Sequence, residues 1–389
     1  MAIADYFAKY EQIEKEVDVM VVLDVCLSNF YAFKNFHMKL TYPKKIVGSS
    51  IEEEHLENRP NFRYKKVNII MGSNASGKTT FGHMLMAIFN FIDRKNYGFL
   101  TDKIDDTTKE ATFSIDMALN SDFLYRVQCK IAPCKADSYS PDDIQLEVRK
   151  QRISSNDSYE SCVNKLKSTP YVPANNYIEE LERIDKLNWM FEYPEDTKRT
   201  LNLPDKDEKF RTILEHMLKA LDPSIISVSI SREVKKAYVI RLRDRDLVLQ
   251  DGVLFTASVL SSGTKAGVEV AQVISSLMQG QVRFCYCDEK FSYIHSDVEK
   301  ATLSLMIELL RPNGQLFFTS HNADILDMNL PKHSFTFLRK DASNTERPIE
   351  SIAASSLIKR NTDSLKNAVE NDLFSCAPAV DLIYAIADL

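Results

Sequence analysis

The apolar run Asn68-Ile69-Ile70-Met71 leads straight into Gly72-Ser73-Asn74-Ala75-Ser76-Gly77-Lys78-Thr79-Thr80, which has the spacing Gly-x-x-x-x-Gly-Lys-Thr. Two glycines at that interval let a backbone turn its amide hydrogens inward, a shape that suits the phosphates of a nucleoside triphosphate. Lys78 then supplies a cation for the β- and γ-phosphates, and the Thr79 hydroxyl suits Mg²⁺. Further on, the run Val282 to Cys287 ends in Asp288-Glu289. Asp288 suits the water shell of the same Mg²⁺, and Glu289, one residue further, is set to polarise an attacking water. A third apolar run, Gln315 to Ser320, ends in His321, which reads either as a group for the γ-phosphate or as a satisfied turn histidine.

Between the second and third of these features and the phosphate loop lies Ser261-Ser262-Gly263-Thr264, a small polar run that opens an amphipathic segment. Hydroxyls and bare amides at a helix N-terminus make a second anion site. One chain seldom needs two cradles for one nucleotide, so this second cradle is expected to cap the nucleotide of another subunit.

The elements that must position these residues follow from periodicity. Phe81, Met84, Leu85, Ile88 and Ile92 recur at helical spacing, so a buried helix is expected to start at the phosphate loop itself. An amphipathic helix is expected over 5–17, strands over 18–42, 111–131, 143–150 and 226–257, and helices over 175–192, 209–222, 266–279 and 297–310. Segments 48–62, 132–142 and 151–174 are polar and read as loops. Continuous apolarity in the strands that alternate with helices predicts an α/β fold with a mostly parallel core sheet, covered on both faces.

Composition sets the outer bounds. The chain has 389 residues, 44% of them apolar, which is enough for a sizeable core. No run approaches the roughly 18 apolar residues of a membrane span, and the charged first residues do not read as a secretory signal. The seven cysteines show neither zinc-finger spacing nor disulfide density, so a reducing, cytoplasmic setting without a membrane is expected. A net charge of −6 speaks against wrapping nucleic acid over a broad face, although the local strips 240–246 and 357–360 are basic.

In order, the phosphate loop, Leu260-Ser261-Ser262-Gly263-Thr264, Asp288-Glu289, Asp297 and His321 resemble the motifs of ATP-binding-cassette ATPases. The stretches 27–36, 288–297 and 316–327 resemble the RecF, SMC and overcoming-lysogenization-defect branch of that superfamily. The resemblance spans roughly residues 18–100 and 225–340. It implies an ABC-type head with an antiparallel β subdomain and a helical lobe. The implied division is a first half of the ATPase domain over 1–131, a lobe over 132–225, a second half over 226–345 and a helical tail over 346–389. ATP and Mg²⁺ are the implied cofactors and ATP hydrolysis the implied activity, with Lys78, Glu289 and His321 as catalytic residues. Ser261 and Gly263 are assigned to the γ-phosphate of an opposing subunit, Asp297 to communication across that dimer, and an aromatic between Phe30 and Phe36 to adenine, with core packing as the alternative for the aromatics. Two departures stand out: Ser262 breaks the usual glycine pattern of the signature, and Ala75 replaces a common glycine. Gln128 is only a candidate for the family's glutamine loop.

Sustained heptads are absent between the phosphate loop and Ser261, so arms that bridge DNA are not expected. The segment after His321 lacks the clustered acids of a Toprim nuclease. The expectation is therefore a compact ATPase that forms a homodimer or higher oligomer and acts as a nucleotide-gated scaffold for a separate effector, a Toprim or other nuclease. It resembles the stand-alone ATPases of antiphage defence, with the PARIS and Septu types as comparisons. A RecF-like DNA-repair ATPase that binds DNA directly is the alternative, and a transporter motor is disfavoured.

Overall fold

The computed structural model describes residues 19–43, 49–120, 122–135, 137–194, 203–255, 260–358, 360, 363–376, 381–384 and 386. The amphipathic segment expected over 5–17 lies outside them. Strands are numbered in chain order, and so are the helices of ten residues or more among the described residues: α1 (Lys78–Arg94), α2 (Tyr159–Ser168), α3 (Glu208–Leu221), α4 (Ser262–Met278) and α5 (Ser296–Leu309).

The central element is a six-stranded sheet in the order β17 (Ile349–Ala353), β16 (Phe335–Lys340), β5 (Val67–Met71), β15 (Gln315–Thr319), β14 (Phe284–Asp288) and β9 (Trp189–Glu192). Every pairing in it is parallel except that of β17 with β16. β5, β14 and β15 are buried at every position, which is why their apolar residues run on rather than alternate, with the polar Asn68, Asp288, Gln315 and Thr319 buried among them. Helix α1 packs on one face through Phe81, Met84, Leu85 and Ile88, while α4 and α5 cover the other through Val270, Ile274, Leu303 and Met306. Gly82 permits the close approach of α1, since a Cβ there would lie 2.6 Å from Cε1 of Tyr286 on β14.

The remaining sheets are antiparallel, so the mostly parallel expectation holds for the central sheet alone. A five-stranded sheet runs β2 (Phe36–Lys39), β1 (Met20–Ser28), β6 (Ala111–Leu119), β7 (Phe123–Ile131) and β8 (Ile144–Arg152). Its inner face shares a core with α1 through Val25, Leu27, Phe36 and Met38. Its other face is covered by α2 and the short hairpin β3 (His55–Leu56) and β4 (Arg59–Arg63). A four-stranded sheet of β10 (Ile225–Ile230), β11 (Ala237–Leu242), β12 (Asp246–Gln250) and β13 (Val253–Leu254) packs its apolar face on α3 and α4.

Several expectations need correction. The helix expected over 175–192 is confined to Tyr177–Leu181, and Trp189–Glu192 is the edge strand β9. Ile184 and Leu187 kept the helical period by coincidence, whereas β9 gains its parallel partner β14 from a part of the chain far away. The polar stretch 151–174 holds α2, which buries only Tyr159, Cys162 and Leu166 and starts on the hydroxyl cap of Ser158. Segment 132–225, expected as a helical lobe, supplies β8 and β9 to two sheets, and the tail expected to be helical from 346 opens with β17. All seven cysteines are free.

Candidate active site

Neighbouring strands β5, β15 and β14 run parallel, so their C-terminal ends open on the same edge of the central sheet. That edge is where the phosphate loop, Asp288-Glu289 and His321 all lie. In open parallel sheets such crevices are where ligands bind, because strand ends and helix N-termini meet there.

The loop is built from unusual backbone conformations. Gly72 has φ 151° and Gly77 has φ 104°, a region that side chains rarely enter, and a Cβ on Gly72 would lie 2.4 Å from the carbonyl oxygen of Leu338. Ala75 has φ 61°, so it adopts the left-handed conformation a glycine would favour there. A Cβ on Gly77 would lie 3.0 Å from Ile349 of β17, a neighbour no local pattern in the sequence announces. Helix α1 has no side-chain cap at Gly77, which leaves its first amides free to face an anion. The hydroxyl of Ser76 is buried in this cradle with no hydrogen-bond partner.

Lys78 is buried and folds back, donating to the carbonyls of Gly72 at 2.9 Å and Ser73 at 3.2 Å, with Glu289 Oε1 at 3.4 Å. Burial pulls its ammonium below the ordinary value, opposed by Glu289 and Asp288. Thr79 Oγ1 donates to Asp288 Oδ2 at 2.7 Å, and Thr319 Oγ1 donates to Asp288 Oδ1 at 2.7 Å. Burial pushes the Asp288 carboxyl up, and those two hydroxyls work against it. Glu289 sits at φ 42°, and its amide donates to Thr319 Oγ1 at 2.9 Å. Its carboxylate lies 2.7 Å from Nε2 of the half-exposed His321. Burial raises the Glu289 carboxyl, but His321 and Lys78 outweigh that and hold it below the usual range, so it is an ionised base near neutral pH.

One network therefore brings together Lys78, Thr79, Asp288, Glu289 and His321. Ser261, Gly263 and Asp297 sit apart from it. Ser261 caps α4, accepting from the amide of Thr264 at 3.1 Å. A Cβ on Gly263 would lie 2.8 Å from the carbonyl oxygen of Tyr293, so the start of α4 packs closely on the turn after Glu289. Asp297, exposed, pairs with Lys300 at 3.0 Å. Asn74 and Thr80 belong to the loop and the first turn of α1 respectively. Phe30, Phe33 and Phe36 are fully buried, and Phe33 and Phe36 pack on Phe81, which leaves them no face for a base. Gln128 is in mid-strand on β7, opposite Ser114 and Glu147.

Two contributors escaped sequence reasoning. Thr319 holds both Asp288 and Glu289, and the signal for it was a hydroxyl at the end of an apolar strand two residues before His321. Tyr286, fully buried on β14, donates to the carbonyl of Lys78 at 2.7 Å and so ties the first turn of α1 to the sheet.

No family model matches the sequence, and no curated protein matches it. Among solved structures, the chain is similar to an SmcHead bound to the C-winged helix domain of ScpA, with 12% identity over 87% of this chain and 99% of that one and a TM-score of 0.49. An SMC head domain from Thermotoga maritima aligns with 12% identity over 85% and 98% of the two chains and a TM-score of 0.43. The recombination mediator RecF of the RecFOR pathway aligns with 10% identity over 86% and 99% and a TM-score of 0.42. Likenesses at this level carry no functional weight.

Proposed function

We propose that the chain is an Mg²⁺-dependent ATPase of the ABC type. The observation that carries this is the shared edge of β5, β14 and β15, where a loop of inward amides, a buried lysine, a hydroxyl–carboxylate pair and an ionised glutamate form one hydrogen-bonded cluster. The residues fit the groups they would hold. Thr79 and Asp288 offer the hard oxygen donors Mg²⁺ prefers, and the cradle holds an unpartnered Ser76 hydroxyl beside the free amides of α1. Bound Mg²⁺ would neutralise charge developing on the phosphates.

On this reading the protein's own residues divide the work. Lys78 exchanges its two backbone carbonyls for phosphate oxygens. Glu289 accepts a proton from the attacking water at Oε1 or Oε2, and His321 orients that carboxylate. Ser261 and Gly263 serve the γ-phosphate bound by a second copy, which makes the working form a homodimer or higher oligomer, and the exposed Asp297 communicates across it. Equilibrium binding of ATP with Mg²⁺ tests the assignment of the loop. Lys78→Ala is expected to weaken binding by about tenfold or more, since a charge-assisted partner is lost, and equal affinity in folded Lys78→Ala protein would refute it.

The same proposal extends to control of a separate effector, a Toprim or other nuclease, as in antiphage defence. What favours it is the exposed apolar surface of Ile383 and Tyr384 in the tail, 66% and 72% accessible. Co-expression with the proteins encoded beside it checks this: nuclease activity in the assembly should change between wild type and Glu289→Gln, and no nuclease activity, or identical activity with both, would refute it. The direct DNA-binding alternative is weakened, because Arg241 pairs with Asp246 and Arg245 with Asp244 in the basic strip that suggested it.

A further inference from the structure

We propose that Asp24, Cys26 and His37 form a second metal site, for one Zn²⁺ ion, on the face of the five-stranded sheet turned away from α1. Asp24 and Cys26 are two residues apart on β1, and His37 of β2 is the direct cross-strand partner of Cys26. Alternation along the strand puts the carboxylate and the thiol on one face, and the register shift in the pairing of β1 with β6 lies just before them, between Val22 and Asp24. One ligand atom from each of the three residues lies within 4.8 Å of the others.

The spacing brackets that of a tetrahedral ion. Ligands at about 2.0–2.3 Å in that geometry stand roughly 3.3–3.8 Å apart. Cys26 Sγ is 3.9 Å from Asp24 Oδ2, and His37 Nε2 is 2.7 Å from Asp24 Oδ1. The His37 pair must open by about half an ångström to reach that range, and its side chain, 55% exposed, has the freedom to do so. Two neighbouring cations on the sheet have carboxylates of their own, while Arg347 also acts on His37. Arg126 is held by both oxygens of Asp116 at 2.7 and 2.6 Å, and Lys39 by Glu160 at 3.1 Å.

The donor set selects the ion. Thiolate, imidazole and carboxylate together suit Zn²⁺, whereas Mg²⁺ prefers oxygen alone, so this site and the Thr79–Asp288 pair would not share a metal. On binding, the Cys26 S–H bond breaks, its proton goes to solvent and a zinc–sulfur bond forms. Three protein ligands leave the fourth position for water or another group. The ion would tie together β1 and β2, and β2 carries Phe36 against Phe81 in the first turns of α1.

Chelator-stripped full-length protein without nucleotide, titrated with Co²⁺, tests the site. The expected result is a thiolate-to-cobalt charge-transfer band in the near ultraviolet, lost when one equivalent of Zn²⁺ is added. Cys26→Ser should lose the band, Cys134→Ser should keep it, and His37→Ala should weaken Co²⁺ binding by about tenfold or more. No band in wild type, or a band that survives in Cys26→Ser, would overturn the proposal. If Cys26→Ser fails to fold, His37→Ala still decides, since its side chain is exposed and unchanged Co²⁺ affinity would overturn the site.

Discussion

Glu289 shows what a residue's identity conveys and what it leaves out. Its position after an apolar strand and an aspartate was enough to nominate it, but its left-handed backbone and its hold by Thr319 come from the meeting of β14 and β15, which no local pattern encodes. Ala75 is the converse case, since the missing glycine is explained by a φ of 61° that alanine adopts at a small cost. Lys65 is a residue no motif announces. It is buried next to the phosphate-loop strand, its ammonium makes a long hydrogen bond of 3.4 Å to Thr336, and burial lowers its pKa to about 8. A lysine whose folded value lies below its unfolded value of 10.5 gives up its proton sooner in the native state. Between those two values the unfolded chain binds more protons, so stability rises with pH across that window, by something of the order of 3 kcal/mol in full. Below about 8 the cost of the buried charge is fully present. Urea denaturation across this range should show the rise in wild type and a smaller one in Lys65→Met, and parallel profiles would mean that Lys65 titrates normally.

At the scale of elements, the helices with dense apolar stripes were legible and the sparse ones were not. Helix α1 shows its period in Phe81, Met84, Leu85, Ile88 and Ile92, while α2 hides three buried residues in a polar stretch. Strand β9 was concealed by an apolar spacing that also fits a helix, because short runs do not distinguish the two periods. The start of α4 was expected within a few residues, yet sequence offered no view of its packing on Tyr293. That packing fixes the N-terminus of α4 to the turn after Glu289 in the same chain. A cradle offered to a second copy is the reading proposed above for this helix end. Mixing Lys78→Ala protein, which keeps α4 intact, with Ser261→Ala/Gly263→Val protein, which keeps the loop intact, should restore up to about a quarter of the lost ATPase activity, because about half of the statistically formed dimers are mixed and each of those has one complete site of two. Absence of any recovery in a mixture shown to exchange subunits would rule out the composite site.

For the whole molecule, the alternation of helices with strands of continuous rather than alternating apolarity was enough to expect a parallel sheet at its centre, because parallel strands buried on both faces carry apolar residues on both. The antiparallel sheets were only partly legible. Their strands alternate and could be seen, but which sheet each joins depends on contacts between distant segments, as with β6 beside β1. The site was more legible than the fold that holds it, since Lys78, Thr79, Asp288, Glu289 and His321 could be nominated singly and needed only three adjacent strand ends to meet. Asp288 is tied to the first turn of α1 through Thr79, while Glu289 faces Lys78 and His321, so the two acids have separate partners despite being adjacent, as the separate tasks proposed for them require. That separation is tested most directly by measuring ATP binding and steady-state hydrolysis on the same preparation of Glu289→Gln. Binding within about twofold of wild type with hydrolysis reduced by about a hundredfold or more, the scale of a lost general base, is the predicted result; hydrolysis at the wild-type rate would contradict it.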